Sequence, residues 1–417
     1  MGKFYIDGGR RLEGRLRVQG GKNAVLPIIA ATVLNGDISY IQDCPQILDV
    51  FTMIRILESI GCNVRWDDKT LIVDSTTISS YEVPEDLVRE MRSSIVLLGS
   101  ILGRCKKIVI SYPGGCPLGP RPIDLHLKAL KKLGVQIKEE HGFIICEAPK
   151  LVGSKIHLDF PSVGATENIM LAAVLAEGTT TIYNAAKEPE IKDLQNFLNG
   201  MGAKVSGAST DVIYIEGIKS LKKVEHKVIP DRIVVGTYLA AAAITGGEVQ
   251  LTNVDANHIQ AITSKLREIG CRIIEEKDSI YLKAPKQLKS LDIIRTQPYP
   301  GFPTDMQAQM MAILTVARGT SIITETVFES RYKHAEELIR MGADITLEGR
   351  TAIIKGVKDL TGTTVCAKDL RGGAALIIAG LISEGITVVE GAKHIIRGYE
   401  QIDKDLNSLG AKIQKSF

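Results

Sequence analysis

No stretch of the sequence approaches the ~20 consecutive apolar residues that span a bilayer. The opening Met1-Gly2-Lys3-Phe4-Tyr5-Ile6 lacks the apolar core of a secretory signal, and a cytoplasmic location without membrane attachment is expected. The seven cysteines (44, 62, 105, 116, 146, 271, 366) form no CxxC pair, which excludes a disulfide framework and the usual zinc modules. Lys+Arg 51 against Asp+Glu 48 leaves only +3, with no basic run, so a nucleic-acid partner is not expected. Aromatic residues are 5% of the chain, with a single Trp, so the cores must be aliphatic. Walker A, Rossmann and HExxH patterns are all missing.

What is present is a repeat. The phrase apolar-Gly recurs at Ile60-Gly61, Leu133-Gly134, Met201-Gly202, Ile269-Gly270, Met341-Gly342 and Leu409-Gly410, with glycine spacings of 73, 68, 68, 72 and 68. Each phrase closes a charged amphipathic stretch such as Leu127–Leu133, as a glycine C-cap does, and a strand is expected next. On the same rhythm, segments 24–34, 94–102, 167–176, 234–245, 306–317 and 372–383 are apolar all round, the mark of a buried helix. Glycine turns at 36, 178, 246, 319 and 385, and Gly103-Arg104 in the second copy, lead into strands such as 179–183 and 108–111.

Each copy thus reads as buried helix, strand, amphipathic helix and strand pair, over about 70 residues. A chain of 417 residues fits two or three domains, and the pattern predicts an α/β protein of two lobes with three copies each. The first lobe is expected at 22–229 and the second at 1–21 plus 230–417. The early segments 4–6 and 12–18 are expected as a strand pair in the second lobe. A chain crossing twice between lobes suits a hinge-closing cleft.

The residues opening the buried helices are Lys22-Asn23, Arg92-Ser93, Thr166-Glu167-Asn168, Asp231-Arg232, Thr304-Asp305 and Asp369-Leu370-Arg371. Cations at helix N-termini oppose the dipole, so Lys22, Arg92, Arg232 and Arg371 together suggest a polyanionic ligand. Asp231 and Thr304 read more simply as N-caps, and Arg232 equally well as part of a hinge salt bridge. The loop Pro113-Gly-Gly-Cys116-Pro-Leu-Gly-Pro-Arg121-Pro-Ile-Asp124-Leu-His126 precludes regular structure and exposes Cys116, with Arg121 favouring the thiolate. The other six cysteines are expected to be buried and inert.

Several stretches carry a resemblance that runs from end to end. They are Gly20-Gly-Lys-Asn-Ala24, Met91-Arg-Ser-Ser94, Pro113 through His126, Pro161–Asn168, Phe302–Gln309, Asp369–Gly372 and His394–Glu400. Together they resemble the UDP-N-acetylglucosamine enolpyruvyl transferases (1-carboxyvinyltransferases) within the EPSP synthase family. That resemblance implies an inside-out α/β barrel in two lobes, each of three βαβαββ units around buried helices. It also implies a transferase that moves the enolpyruvyl group of phosphoenolpyruvate to the 3′-hydroxyl of the UDP-sugar. This is the first committed step of peptidoglycan precursor synthesis, with no cofactor or metal, in a chain expected to be monomeric.

By the same resemblance, Lys22, Arg121 and Arg397 are implied to hold the phosphoenolpyruvate phosphate, with Arg371 and Arg397 near its carboxylate. Arg92 is implied at the substrate phosphates, and Asn23 and Asp305 at the sugar 3′-hydroxyl. Arg121, Pro122, Ile123, Asp124, Leu125, Ser162, Val163, Gly164 and the backbone at Val327 are implied to cradle the uridine and diphosphate. Asp369 is counted with the substrate-binding residues. Cys116 is implied as the acid for C3 and as the target of fosfomycin-type epoxides, with Asp305 as the base. The competing readings are the sister transfer to shikimate 3-phosphate, whose branch lacks the cysteine, and a non-catalytic UDP-sugar-binding regulator.

Overall fold

The computed structural model describes residues 2–114 and 123–416. Of the residues singled out from the sequence, Cys116, Arg121 and Pro122 lie outside the described residues. The chain divides into two compact units, one containing residues 20–114 and 123–229, the other 2–19 and 230–416.

Six helices that bury nearly every side chain form the centres of the units: α1 (Lys22–Ala31), α2 (Leu97–Cys105), α3 (Val163–Ala173), α4 (Arg232–Ile244), α5 (Gln307–Leu314) and α6 (Leu370–Gly380). They have no polar face because helices and sheets of their own unit surround them. In the first unit α2 packs against both α1 and α3, and in the second α4, α5 and α6 touch pairwise. Each unit has its own aliphatic core, with Ile28, Met53, Leu97 and Ile169 in one and Tyr238, Leu266, Met310 and Leu376 in the other.

Close helix contact explains two glycines. A Cβ at Gly99 on α2 would stand 2.3 Å from the carbonyl oxygen of Asn168 on α3, and one at Gly103 would stand 2.7 Å from Leu34. Gly103 is therefore a packing residue inside the helix, not the turn expected from the sequence. α2 runs on to Cys105, Lys106 caps it in the left-handed region (φ 62°), and the strand begins at Lys107. The six phrase glycines, 61, 134, 202, 270, 342 and 410, all have φ between 91° and 105°, which fits C-caps that only glycine adopts without strain.

Among the described residues each unit holds three small sheets. In five of the six sheets the strand after a buried helix pairs parallel with one edge strand and antiparallel with the next, as Thr179–Tyr183 does with Lys155–His157 and Val212–Glu216. In the sixth, Lys107–Ser111 is an edge strand paired antiparallel with Phe143–Glu147. The two early strands depart from expectation. Lys3–Asp7 lies between Ile386–Glu390 and Ile413–Ser416, whereas Glu13–Arg17 pairs parallel with Glu248–Thr252. They belong to the expected unit but not to one sheet, because residues 8–12 carry the chain from one sheet to another. Gly8 allows that departure, since a Cβ there would meet the Ser383 carbonyl oxygen at 2.5 Å.

The cysteine expectation also needs correction. Cys366 is exposed and Cys105 half-buried, while 44, 62, 146 and 271 are buried. Cys366 ends the edge strand Thr364–Cys366, in which alternate side chains face out. Among the described residues no helix is long and apolar enough to cross a membrane, and no group of three or more His, Cys, Asp or Glu is placed to hold a metal ion.

Candidate active site

In the unit of residues 230–416, polar side chains gather where α5 and α6 begin. Asp305 lies in the 3-10 turn Thr304–Met306 that leads into α5. Its Oδ1 accepts Arg331 Nη2 at 2.7 Å, and its Oδ2 accepts Arg371 Nη2 at 3.0 Å. Both arginine side chains are only 4% exposed, against 26% for Asp305, so the carboxylate is the group of the three that solvent reaches. Burial alone would raise the Asp305 carboxyl, but Arg371 and then Arg331 outweigh it and hold it far below the usual carboxylate range.

Arg371 is placed by its helix. Asp369 is the N-cap of α6 and accepts the backbone N–H groups of Arg371 (3.0 Å) and Gly372 (2.8 Å). Behind Arg371, the Tyr399 hydroxyl lies 3.4 Å from Nη1 and 2.8 Å from Thr237 Oγ1, which in turn accepts from Gln309 Nε2 at 3.2 Å. Arg397 is half-buried, two residues before Tyr399. Beside Arg331 stands His334, 3% exposed, with no hydrogen-bond partner on either ring nitrogen among the described residues. Burial pushes its pKa down to about 4, with Asp369 opposing and Arg331 adding to the fall, so the ring is neutral.

Val327 belongs to a turn organised by Glu325. This carboxylate, 1% exposed, accepts Val327 N at 2.8 Å and Phe328 N at 3.1 Å. Thr304, read from the sequence as an N-cap, instead donates to Glu325 Oε2 (2.8 Å) and accepts from Arg331 Nη1 (3.0 Å). Asp231 does cap α4, accepting Ile233 N and Val234 N at 2.9 and 3.0 Å. The Arg232 guanidinium lies 5.7 Å from the Tyr299 ring centre.

In the unit of residues 20–229, Lys22 opens α1 with its Nζ 2.6 Å from Asp49 Oδ2, a pair whose side chains are 10% and 3% exposed. Asn23 follows, half-buried, and Arg92, also half-buried, opens the 3-10 turn Arg92–Val96. The remaining described positions fall at two helix starts held together by His126. Ile123 precedes the helix Asp124–Lys132, and Asp124 and Leu125 form its first turn. His126 Nδ1 lies 2.7 Å from Asn168 Nδ2 on α3. A Cβ on Gly164 would come within 2.9 Å of His126 Cε1, so a side chain there would push on the ring.

Ser162 caps α3, accepting Ala165 N at 3.3 Å, and Val163 and Gly164 are its first residues. The helix therefore begins three residues before Thr166, the start read from the sequence. Thr166, Glu167 and Asn168 are buried within it, because the turn already closes at Ser162. Two helix N-termini side by side bring together positive dipole ends, an environment that favours an anion.

Asp49, Glu325, Arg331 and Tyr399 were not identified from the sequence. Asp49 had a signal: it shares the spacing of Met53 and Ile56 on an amphipathic helix, an acid on the apolar face. Glu325 and Arg331 flank an irregular turn, where no periodicity marks them.

The chain matches the family described as EPSP synthase (3-phosphoshikimate 1-carboxyvinyltransferase) over residues 6–406. It is 57% identical over 413 residues to "UDP-N-acetylglucosamine 1-carboxyvinyltransferase 2" of Caldanaerobacter subterraneus subsp. tengcongensis, covering 99% of both chains. A protein of the same name from Carboxydothermus hydrogenoformans is 51% identical, covering 100% of this chain and 99% of that one. Among solved structures, the enolpyruvyl transferase NikO from Streptomyces tendae superposes with a TM-score of 0.89 at 25% identity, covering 100% and 99% of the two chains. An EPSP synthase from Acinetobacter baumannii gives 0.78 at 19% identity over 100% of both, a likeness of fold.

Proposed function

The chain belongs to the EPSP synthase family, and we propose that it transfers the enolpyruvyl group of phosphoenolpyruvate to the 3′-hydroxyl of UDP-N-acetylglucosamine in the cytoplasm, acting as a monomer. The observation that carries this reading is the Asp305 carboxylate held between Arg331 and Arg371, which puts an ionised acceptor beside a cation suited to a substrate carboxylate. Full-length identity of 57% and 51% to proteins named for this transfer favours the UDP-sugar over shikimate 3-phosphate.

In this reading, protonation of phosphoenolpyruvate at C3 gives C2 oxocarbenium character, and the 3′-oxygen bonds to C2 while its proton passes to Asp305. Cys116 supplies the C3 proton. The adduct retains phosphate and carboxylate, whose charge Lys22, Arg121, Arg371 and Arg397 balance. The C2–O bond to phosphate then breaks as C3 loses a proton, leaving the enol ether.

Asp305 as found is ionised but weakly basic, because two guanidiniums share it. A phosphoenolpyruvate carboxylate at Arg371 shares that guanidinium's charge and so raises the proton affinity of Asp305. The base is thereby strengthened when the acceptor is needed. Asn23 addresses the same hydroxyl, Arg92 the substrate phosphates, and Asp369 keeps Arg371 in place through α6. Ile123, Asp124, Leu125, Ser162, Val163 and Gly164, with Arg121 and Pro122, hold the nucleotide diphosphate, and Val327 contributes its backbone.

The test is release of inorganic phosphate from phosphoenolpyruvate with each acceptor. Release with the UDP-sugar alone is expected. Release with shikimate 3-phosphate alone would overturn the acceptor assignment, and silence with both would favour a non-catalytic UDP-sugar-binding protein.

A further inference from the structure

Asp305 and the Val327 turn are separate in sequence, yet one run of hydrogen bonds joins them. Glu325 Oε1 accepts Thr296 Oγ1 (2.7 Å), Val327 N (2.8 Å) and Phe328 N (3.1 Å). Its Oε2 accepts the Thr304 hydroxyl at 2.8 Å. That hydroxyl accepts Arg331 Nη1 at 3.0 Å, and Arg331 Nη2 reaches Asp305 Oδ1 at 2.7 Å. Phe328, whose N–H ends on Glu325, also lies under the Arg331 guanidinium, 5.0 Å from its ring centre.

The donors and acceptors along this run fix its direction, although the buried Arg331 Nε has no hydrogen-bond partner among the described residues. A hydroxyl has one proton, so Thr304 can give it to Glu325 only while taking its own hydrogen bond from the arginine. Glu325 and Arg331 are buried, 1% and 3% exposed, and the bonds above hold each side chain at more than one atom. Arg331 grips Oδ1, whereas Arg371 takes Oδ2. When a substrate carboxylate draws on the Arg371 guanidinium, its hold on Oδ2 weakens while Oδ1 stays with Arg331, so the lone pair made available has one orientation.

We infer that Glu325, Thr304 and Arg331 are positioning residues that tie the turn contacting the UDP-sugar to the carboxylate that receives the 3′-hydroxyl proton. The inference rests on the roles proposed for Val327 and Asp305. Its consequence is that occupancy of the turn by the nucleotide sugar and alignment of the base are one event. A change at the Glu325 end must reach turnover, and a change at the Thr304 end must reach sugar affinity.

Among the described residues the charged groups acting on Asp305 are Arg331 and Arg371, with Tyr399 and Asp231 acting on Arg371, His334 beside Arg331, and Asp369 acting on His334. Loosening Arg331 leaves Arg371 as the main cation on Asp305, so the carboxyl gains protons at higher pH. Activity that needs the ionised base is then lost earlier as pH falls.

The experiment is steady-state phosphate release with phosphoenolpyruvate and UDP-N-acetylglucosamine, against pH, for the parent, Thr304→Val, Thr304→Ser and Glu325→Gln. Thr304→Val keeps the shape without the hydroxyl. It is expected to lower kcat about 10- to 100-fold, the loss usual for a hydrogen bond to a charged group, and to move the acid limb of kcat to higher pH. Thr304→Ser restores most of both. Glu325→Gln is expected to raise KM for the UDP-sugar and lower kcat in the same variant.

Parent-like kcat, KM and acid limb in Thr304→Val and Glu325→Gln, with only a lower melting temperature, would overturn the inference. Should Thr304→Val fail to fold, Glu325→Gln decides by the same readouts. A parent silent with this substrate pair overturns the functional reading and the relay with it, whereas an active parent with insensitive variants overturns the relay alone.

Discussion

Lys22 and Asp49 form a buried ion pair, Nζ to Oδ2 2.6 Å, at the first residue of α1 and the first turn of the helix Leu48–Ser59. The lysine is a phosphate ligand in the proposed reaction, and Asp49 fixes where its charge sits. Removing the carboxylate leaves a buried ammonium short of an anion, a change worth about 3 kcal/mol. Asp49→Asn is therefore expected to lower the melting temperature by several degrees and to raise KM for phosphoenolpyruvate. Saturating phosphoenolpyruvate should recover part of the lost melting temperature, because the substrate phosphate replaces the missing charge. A thermal-shift titration reads both effects.

Asp305→Asn keeps shape and hydrogen-bonding capacity but removes the proton acceptor. Turnover is expected to fall by about 10²- to 10⁴-fold, the usual contribution of a positioned acid or base. Affinity for UDP-N-acetylglucosamine should stay within a few-fold, by calorimetry. Near-parental turnover would remove Asp305 from the base role.

His334 sets a pH dependence of stability. Its folded pKa of about 4 lies below the ordinary value of 6.5, so the unfolded chain takes up a proton first as pH falls. The stabilisation is complete above pH 6.5 and declines as pH falls toward 4, by up to about 3 kcal/mol for that interval. In His334→Gln this part of the urea-midpoint profile between pH 6.5 and 4 is expected to flatten. An unchanged slope would mean that other groups carry it.

Fosfomycin, a small epoxide that mimics phosphoenolpyruvate, is expected to alkylate Cys116. Intact mass after incubation with UDP-N-acetylglucosamine is expected to show one adduct, absent from Cys116→Ser. An adduct that persists in that variant would point to Cys366, which is exposed. No adduct in the parent would count against a reactive thiol.

The repeat was legible because its signals are local. A glycine C-cap every 68 to 73 residues and an apolar run with no polar face each follow from neighbours a few positions apart. Helix starts were read well where an Asp caps the first turn, at Asp231 and Asp369. At α3 the cap is Ser162, and Thr166 looked more like one because the apolar run begins after it. Gly103 was read as a turn, when its lack of a side chain instead serves the packing of α2 against Leu34.

The site was legible only in part. Asp305 and Arg371 stood at helix openings, where charge is conspicuous. Arg331 and Glu325 are joined to them through Thr304 by contacts across 21 to 27 residues, a span that takes in α5 and the strand Thr320–Thr324, and no periodicity encodes such contacts. The pairing of Lys3–Asp7 with two strands from the far end of the chain is hidden for the same reason.

That last pairing bears on how the protein is made. Asp7 meets Lys412 across 405 residues, and Lys3–Asp7 is an interior strand of its sheet. On the ribosome, residues 3–7 emerge before every other strand described here and have no partner until residues 386–390 have been synthesised. The unit of residues 20–229 is complete long before that and can fold while the flanking unit is still half made. The early strand must then be kept from pairing wrongly, and Lys3 and Asp7 at its two ends supply charges that oppose such pairing.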